Sequence, residues 1–143
     1  MRHIIFTFLC VLLITTGSSA QVAVIAHKTV PVSKIKRSEL IDFFTYDVKK
    51  WSSGEPILVK DLTLKTEVKT TFYNYLGKSP SRMKSIWLKM MLSGEGDPPE
   101  RIESEEEMVQ KVATTPGALG FVSHAKVNDQ VKILLTIPNE KKE

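Results

Sequence analysis

Asp61 to Thr66 reads Asp-Leu-Thr-Leu-Lys-Thr, so two hydroxyls and one ammonium fall within four residues, just before an apolar pattern of helical period begins. Where a strand feeds a helix, the first backbone N–H groups of the helix lack partners and the helix dipole turns its positive end toward the junction. Thr63, Lys65 and Thr66 at such a place could converge with those amides on an anion. The same residues admit a plainer use. Thr66 would then be an N-cap, with Glu67 in the first turn supplying the negative charge that the dipole favours.

Little else in the chain suggests chemistry. His27 and His124 have no Asp, Glu or His nearby at a metal-ligand spacing, so both read as loop histidines and no metal site is expected. There is no Gly-x-Ser-x-Gly, no His-Glu-x-x-His, no P-loop and no dinucleotide fingerprint. The acidic run Glu105 to Glu107 fits the first turn of a helix. The expectation is therefore a non-enzyme with no cofactor. Trp51 and Trp87 could stack on a ligand, but Trp87 lies in the apolar stripe of a helix and Trp51 introduces a strand, which points both toward the core.

The elements that would hold these residues can be read in order. Gln21 to Ala26 is a short Val- and Ile-rich run that reads as a buried strand. Ser38 looks like the N-cap of a helix that carries Leu40, Ile41 and Phe44 on one face and ends near Thr45. Ile57 to Lys60 reads as a second strand. Beyond the polar stretch to Thr66, Val68, Phe72, Tyr75 and Leu76 make the stripe of a helix that Gly77 ends. Ser79–Pro80 opens a helix with Met83, Ile86, Trp87 and Met90 at three- and four-residue spacing, broken by Ser93 to Pro99. Ser104 followed by Glu107 has the capping-box pattern and starts a fourth helix through Met108, Val109 and Val112. Ala118 to Val122 and Val131 to Ile137 complete the set as strands. Strand, helix, strand, three helices, strand, strand implies an α/β domain, a layered mixed sheet with helices on both faces, parallel where helices intervene. Such sheets bind ligands beyond the carboxyl ends of their strands.

Composition agrees with one ordinary domain: 143 residues, 25% charged and 42% hydrophobic, without repeats or an interdomain linker. The first 20 residues stand apart. Arg2 and His3 precede an apolar run from Ile4 to Ile14, and Ser18 and Ala20 lie three and one before a cut after Ala20, the pattern of a secretory signal peptide. The run is shorter than the ~20 apolar residues of a bilayer-spanning helix, so no stable membrane insertion is expected after cleavage. Cys10 has no small residue just before it, so no lipid anchor is expected. Removing residues 1–20 removes the one cysteine, and with it disulfides, thiol catalysis and cysteine metal sites. Without Arg2 the 20 Lys and Arg against 16 Asp and Glu leave a charge of +3, spread over Lys34, Lys36, Arg37, Lys49 and Lys50 without interleaved aromatics. No nucleic-acid partner is expected, while a weak preference for anions remains open.

Thr115-Pro116-Gly117-Ala118-Leu119-Gly120-Phe121-Val122 resembles the T/N-P-G-A-I-G-Y-V signature of substrate-binding proteins of phosphate ABC transporters. The likeness runs from about Val22 to Val122. It takes in the helix with Leu40, Ile41 and Phe44, the stretch to Trp51 and Gly54, and a helix holding Phe72 and Leu76. Lys78, Ser79, Pro80, Lys84 and Trp87, with the Gly94-x-Gly96-x-Pro98-Pro99 loop, are similar to the short single-lobe members. The resemblance implies one lobe of a type II periplasmic binding protein over residues 21–137, a charged tail at 138–143, and a periplasmic location. It also implies inorganic phosphate or another oxyanion as ligand, near Thr63, Lys65 and Thr66. Counting back from Phe72 puts Thr66, Glu67 and Val68 where the family carries Ser-Gly-Thr, and Leu62 near its Arg. A single lobe leaves an ion hydrated on one side, so a second copy or an envelope partner would have to close the site. A rival reading keeps the fold and drops the anion: a protein-interaction or sensory module.

Overall fold

The computed structural model describes residues 21–139. The signal-peptide reading of residues 1–20 and most of the charged tail lie outside them. No helix among the described residues is long and apolar enough to cross a membrane.

The elements run β1 (Val22–Ala26), α1 (Arg37–Phe44), β2 (Leu58–Leu62), α2 (Glu67–Leu76), α3 (Pro80–Leu92), β3 (Glu100–Ile102), α4 (Glu105–Thr114), β4 (Ala118–Ser123) and β5 (Lys132–Ile137), with a 3-10 turn at His124–Lys126. They form one five-stranded sheet in the order β3-β2-β4-β1-β5. β2 is parallel to β3 and to β4, whereas β1 is antiparallel to β4 and β5. The sheet is therefore mixed, as expected, but the parallel rule fails across α1. β1 does not pair with β2 and runs opposite to it, because it is inserted between β4 and β5.

Period-two alternation along β4 assigns the helices to two faces. A Cβ at Gly120 would stand 2.6 Å from Met108 Sδ and 3.1 Å from Val112 Cγ2, so α4 packs flat on that face. Phe121 points the other way and stacks on Phe72 of α2 at 3.8 Å between centroids, with the planes 3° apart. Phe44 of α1 meets Phe72 edge-on at 5.0 Å. α3 joins this second face through Trp87, whose indole N–H donates to the Phe44 carbonyl at 2.8 Å. Trp51 is equally internal, donating to the Gly117 carbonyl at 3.0 Å. Both tryptophans are core residues, as their positions in the sequence imply.

Gly117 takes φ +79°, and a Cβ there would lie 2.3 Å from the Pro56 carbonyl oxygen. The Pro-Gly-Ala-Leu-Gly run is thus a packing requirement. One glycine lets the turn before β4 touch the start of β2, and the next lets α4 reach the sheet.

Local signals for the helices hold at three of four N-termini. Thr66, Ser79 and Ser104 each accept a backbone N–H through the side-chain oxygen. The start of α1 differs: the Glu39 carboxylate takes the Lys36 N–H at 3.1 Å, so the helix begins before Ser38. β3 is a strand that the sequence pattern misses. β2 also runs two residues further than expected, which moves Asp61 and Leu62 from the loop into the sheet.

Candidate functional site

β2, β3 and β4 end on the same side of the sheet, and α2 and α4 start there. The β2–α2 connection is reduced to residues 63–66, tied to β3 by the Thr63 N–H donating to the Ile102 carbonyl at 2.8 Å. Thr63 is half-buried, while Lys65 and Thr66 are exposed. The Thr66 side-chain oxygen accepts the Lys69 N–H at 3.3 Å, so this residue is the N-cap of α2, and Glu67 stands in the first turn. Lys65 borders a groove of about 550 Å³ along α2, where Lys69, Asn74, Lys78 and Ser79 also lie. Thr63 and Thr66 are not part of its wall. Of the three residues expected to converge on an anion, only Lys65 therefore faces this lysine-rich groove.

Beneath the junction is a cluster that the sequence reading does not contain. Asp61 is 2% exposed and Lys69 4%. One Asp61 oxygen accepts the Lys69 ammonium at 3.2 Å; the other accepts the Tyr73 hydroxyl at 2.8 Å and the Leu62 N–H at 3.0 Å. Lys69 also donates to the Leu62 carbonyl at 2.5 Å. Burial first, then the Asp61 carboxylate, pushes the Tyr73 phenol far above its ordinary range. Every charged group here has a partner, as buried charge requires. A signal was present: Lys69, Phe72, Tyr73 and Leu76 are spaced i, i+3, i+4, i+7, which places the lysine in the buried stripe of α2.

The other strand ends are closed in a similar way. The Ser123 N–H, at the end of β4, donates to the Glu105 carboxylate at 2.5 Å. Glu106 pairs with Lys126 at 2.6 Å, and that ammonium lowers the Glu106 carboxyl. The acidic run of α4 therefore serves its own helix end and also ties β4 and the 3-10 turn to it. His27 bonds Thr29 at 2.7 Å, His124 is exposed, and no group of three His, Cys, Asp or Glu able to hold a metal occurs among the described residues.

No protein-family model matches the sequence, and no curated protein matches it. Solved structures do. A phosphate ABC transporter substrate-binding protein from Clostridium perfringens, solved with bound phosphate, superposes with a TM-score of 0.67 at 18% identity, over 80% of this chain and 45% of that one. An ABC-type phosphate transport receptor from Vibrio cholerae gives 0.64 at 18% identity, over 80% of this chain and 46% of that one. The fold is that of one lobe of a phosphate-binding transport receptor, and the chain spans less than half the length of these relatives.

Proposed function

We propose that this protein is an exported, non-enzymatic binding module of the periplasmic solute-binding type, built as a single domain over residues 21–137. Its ligand is phosphate or another oxyanion, met at the β2–α2 junction by Lys65 with the hydroxyls of Thr63 and Thr66. The observation that supports this reading is the fold shared with a receptor solved with phosphate, together with the exposed Lys65 on a groove that Lys78 also borders. One lobe covers one side of an ion, so a second copy or an envelope protein completes the enclosure.

A thermal melt of residues 21–143 with and without millimolar phosphate or sulfate tests this. Ligand at ~100 times its dissociation constant adds about 2.7 kcal/mol, which raises the midpoint by several degrees. The expected result is a shift with phosphate that Lys65→Ala removes. No shift with any oxyanion would overturn it.

A second reading, a protein-interaction module without an anion, has its own support. Leu88, Met91 and Leu92 on α3 are 50%, 43% and 76% exposed and form an apolar strip. Strips of this kind mark contact surfaces. In that case neither phosphate nor Lys65→Ala changes the melt, and Leu88→Glu with Leu92→Glu abolishes partner capture.

A further inference from the structure

Lys60 is the least satisfied buried charge in the described chain. It lies on β2, facing α4, and is 4% exposed. An ammonium carries three donors, and among the described residues its acceptor is Glu100 alone, at 2.6 Å. Glu100 is half-exposed and divides its carboxylate between Lys60 and Lys111, the latter at 3.2 Å. One carboxylate thus serves two cations, and two of the Lys60 protons have no protein acceptor. Leaving donors unmade on a buried charge is costly unless something else meets them.

The open side of Lys60 is a cavity of about 470 Å³, within the range that small-molecule sites occupy. Val48, Ile57 and Leu58 form its apolar side together with Pro98 and Pro99. Val48 and Leu58 are 39% and 43% exposed, so apolar surface faces this space. Tyr46 borders it as well, at φ +64°, the only non-glycine residue with positive φ among those described. A bulky residue held in that conformation needs a surrounding structure that enforces it, and such strain concentrates at binding sites. Here the Tyr46 hydroxyl donates to the Asp97 carbonyl at 2.6 Å and Lys49 donates to the Glu95 carbonyl at 3.1 Å, which fixes the loop before β3 as a wall. Glu95, Asp97 and Glu100 stand against Lys49, Lys60 and Lys111 in the lining, so the cavity has no net positive charge. Recognition therefore rests on short-range contact with Lys60 and Lys111 plus apolar burial.

We infer that this cavity binds a small organic acid with one carboxylate and an apolar body. The head accepts from Lys60 and Lys111, and the body lies against Val48, Leu58 and Pro98. The site is toward the amino end of β2, away from the β2–α2 junction, so it stands or falls independently of oxyanion binding there.

The test is a titration of the full chain, followed by amide NMR, with hexanoate and with benzoate into the millimolar range, beside hexanamide and inorganic phosphate. The expected result is saturable shifts at Leu58, Lys60 and Thr115 for the two carboxylates, with hexanamide binding roughly tenfold more weakly because it lacks the charge. Lys60→Met, matched in volume, loses the shifts while keeping a dispersed spectrum. Should that variant fail to fold, Lys111→Met, on an exposed side chain, weakens binding several-fold instead. Absence of saturable shifts with both carboxylates, equal binding of the amide, or binding unaffected by either lysine substitution would overturn the proposal. Phosphate-induced shifts confined to Lys65 and its neighbours report on the junction alone.

Discussion

Lys60 and Asp61 are adjacent on one strand and point to opposite faces of the sheet, yet their charges are treated in opposite ways. Asp61 enters a closed cluster: Lys69, Tyr73 and the Leu62 N–H occupy both of its oxygens, and Lys69 has the Leu62 carbonyl as a second acceptor and the Tyr73 ring 5.7 Å away. Lys60 meets one half-exposed carboxylate that it shares with Lys111, at the wall of a cavity. A buried charge with most of its hydrogen bonds made holds elements in place and has little left to offer a ligand. An under-paired one at a cavity keeps that capacity. Burial alone therefore does not separate structural charge from functional charge; the count of unmade hydrogen bonds does.

The contrast is most easily broken by stability. Asp61→Ala strands the Lys69 ammonium in the core and is expected to cost about 3–5 kcal/mol, the range for removing one member of a buried pair. Replacing Asp61, Lys69 and Tyr73 together with Leu, Met and Phe should recover most of that loss, since the three apolar side chains need no partners and no buried hydroxyl is stranded. Lys60→Met should cost under about 1 kcal/mol, because the Glu100 left behind reaches water. Urea unfolding of the three variants beside the parent checks all of this at once. Equal losses for Asp61→Ala and Lys60→Met would erase the distinction.

Alkaline pH sharpens the same comparison, because each region holds one tyrosine. The Tyr73 phenol, in the closed cluster, is raised far above its ordinary value, and burial followed by the charge of Asp97 raises Tyr46, at the cavity, to about 12. In both cases the folded state keeps a proton that the unfolded chain gives up near pH 10. The unfolded state then binds fewer protons, so stability is complete below pH 10 and falls as pH rises. For Tyr46 the fall ends near pH 12; for Tyr73 it continues beyond. Melts from pH 8 to 12 should slope downward above 10, and Tyr73→Phe should flatten that slope more than Tyr46→Phe. The reverse order would place the tighter environment at the cavity.

What the sequence showed and hid follows from the range of the interactions. Helices were legible because their signals are local: Ser79–Pro80, Ser104 and Thr66 announce α3, α4 and α2 through bonds spanning three residues. β3 was not legible, since Glu100–Ile102 has two charged residues out of three and becomes a strand only by pairing with β2. The end of β2 was misplaced because a buried Asp contradicts the pattern of a core strand until Lys69, eight residues on, is seen to answer it. The Pro-Gly-Ala-Leu-Gly resemblance led to the right fold, and contact with Pro56, Met108 and Val112 explains its glycines. Of the anion residues the chain alone offered three, and folding leaves only Lys65 on the lysine-lined groove. Of the cavity beside Lys60 only the Gly94 to Pro99 loop stood out in the sequence, because a strand, that loop and the end of α4 supply its walls from distant positions.

The smallest effect concerns Thr66, where cap and ligand contact share one oxygen. Thr66→Ala removes the acceptor for the Lys69 N–H and should lower stability by about 1 kcal/mol whether or not an anion binds. That loss would mimic a binding phenotype in any assay read as a melting temperature. Thr66→Ser retains both the cap and a hydroxyl and should leave the melt within a few tenths of a kcal/mol of the parent, while Lys65→Ala, exposed and uninvolved in the cap, should be silent without ligand. A role at the junction is then read from the phosphate-dependent part of each shift alone. If Thr66→Ala lowers the melt but leaves any phosphate increment intact, Thr66 belongs with Asp61 as structure, and what the β2–α2 junction offers to a ligand rests on Lys65 and Thr63.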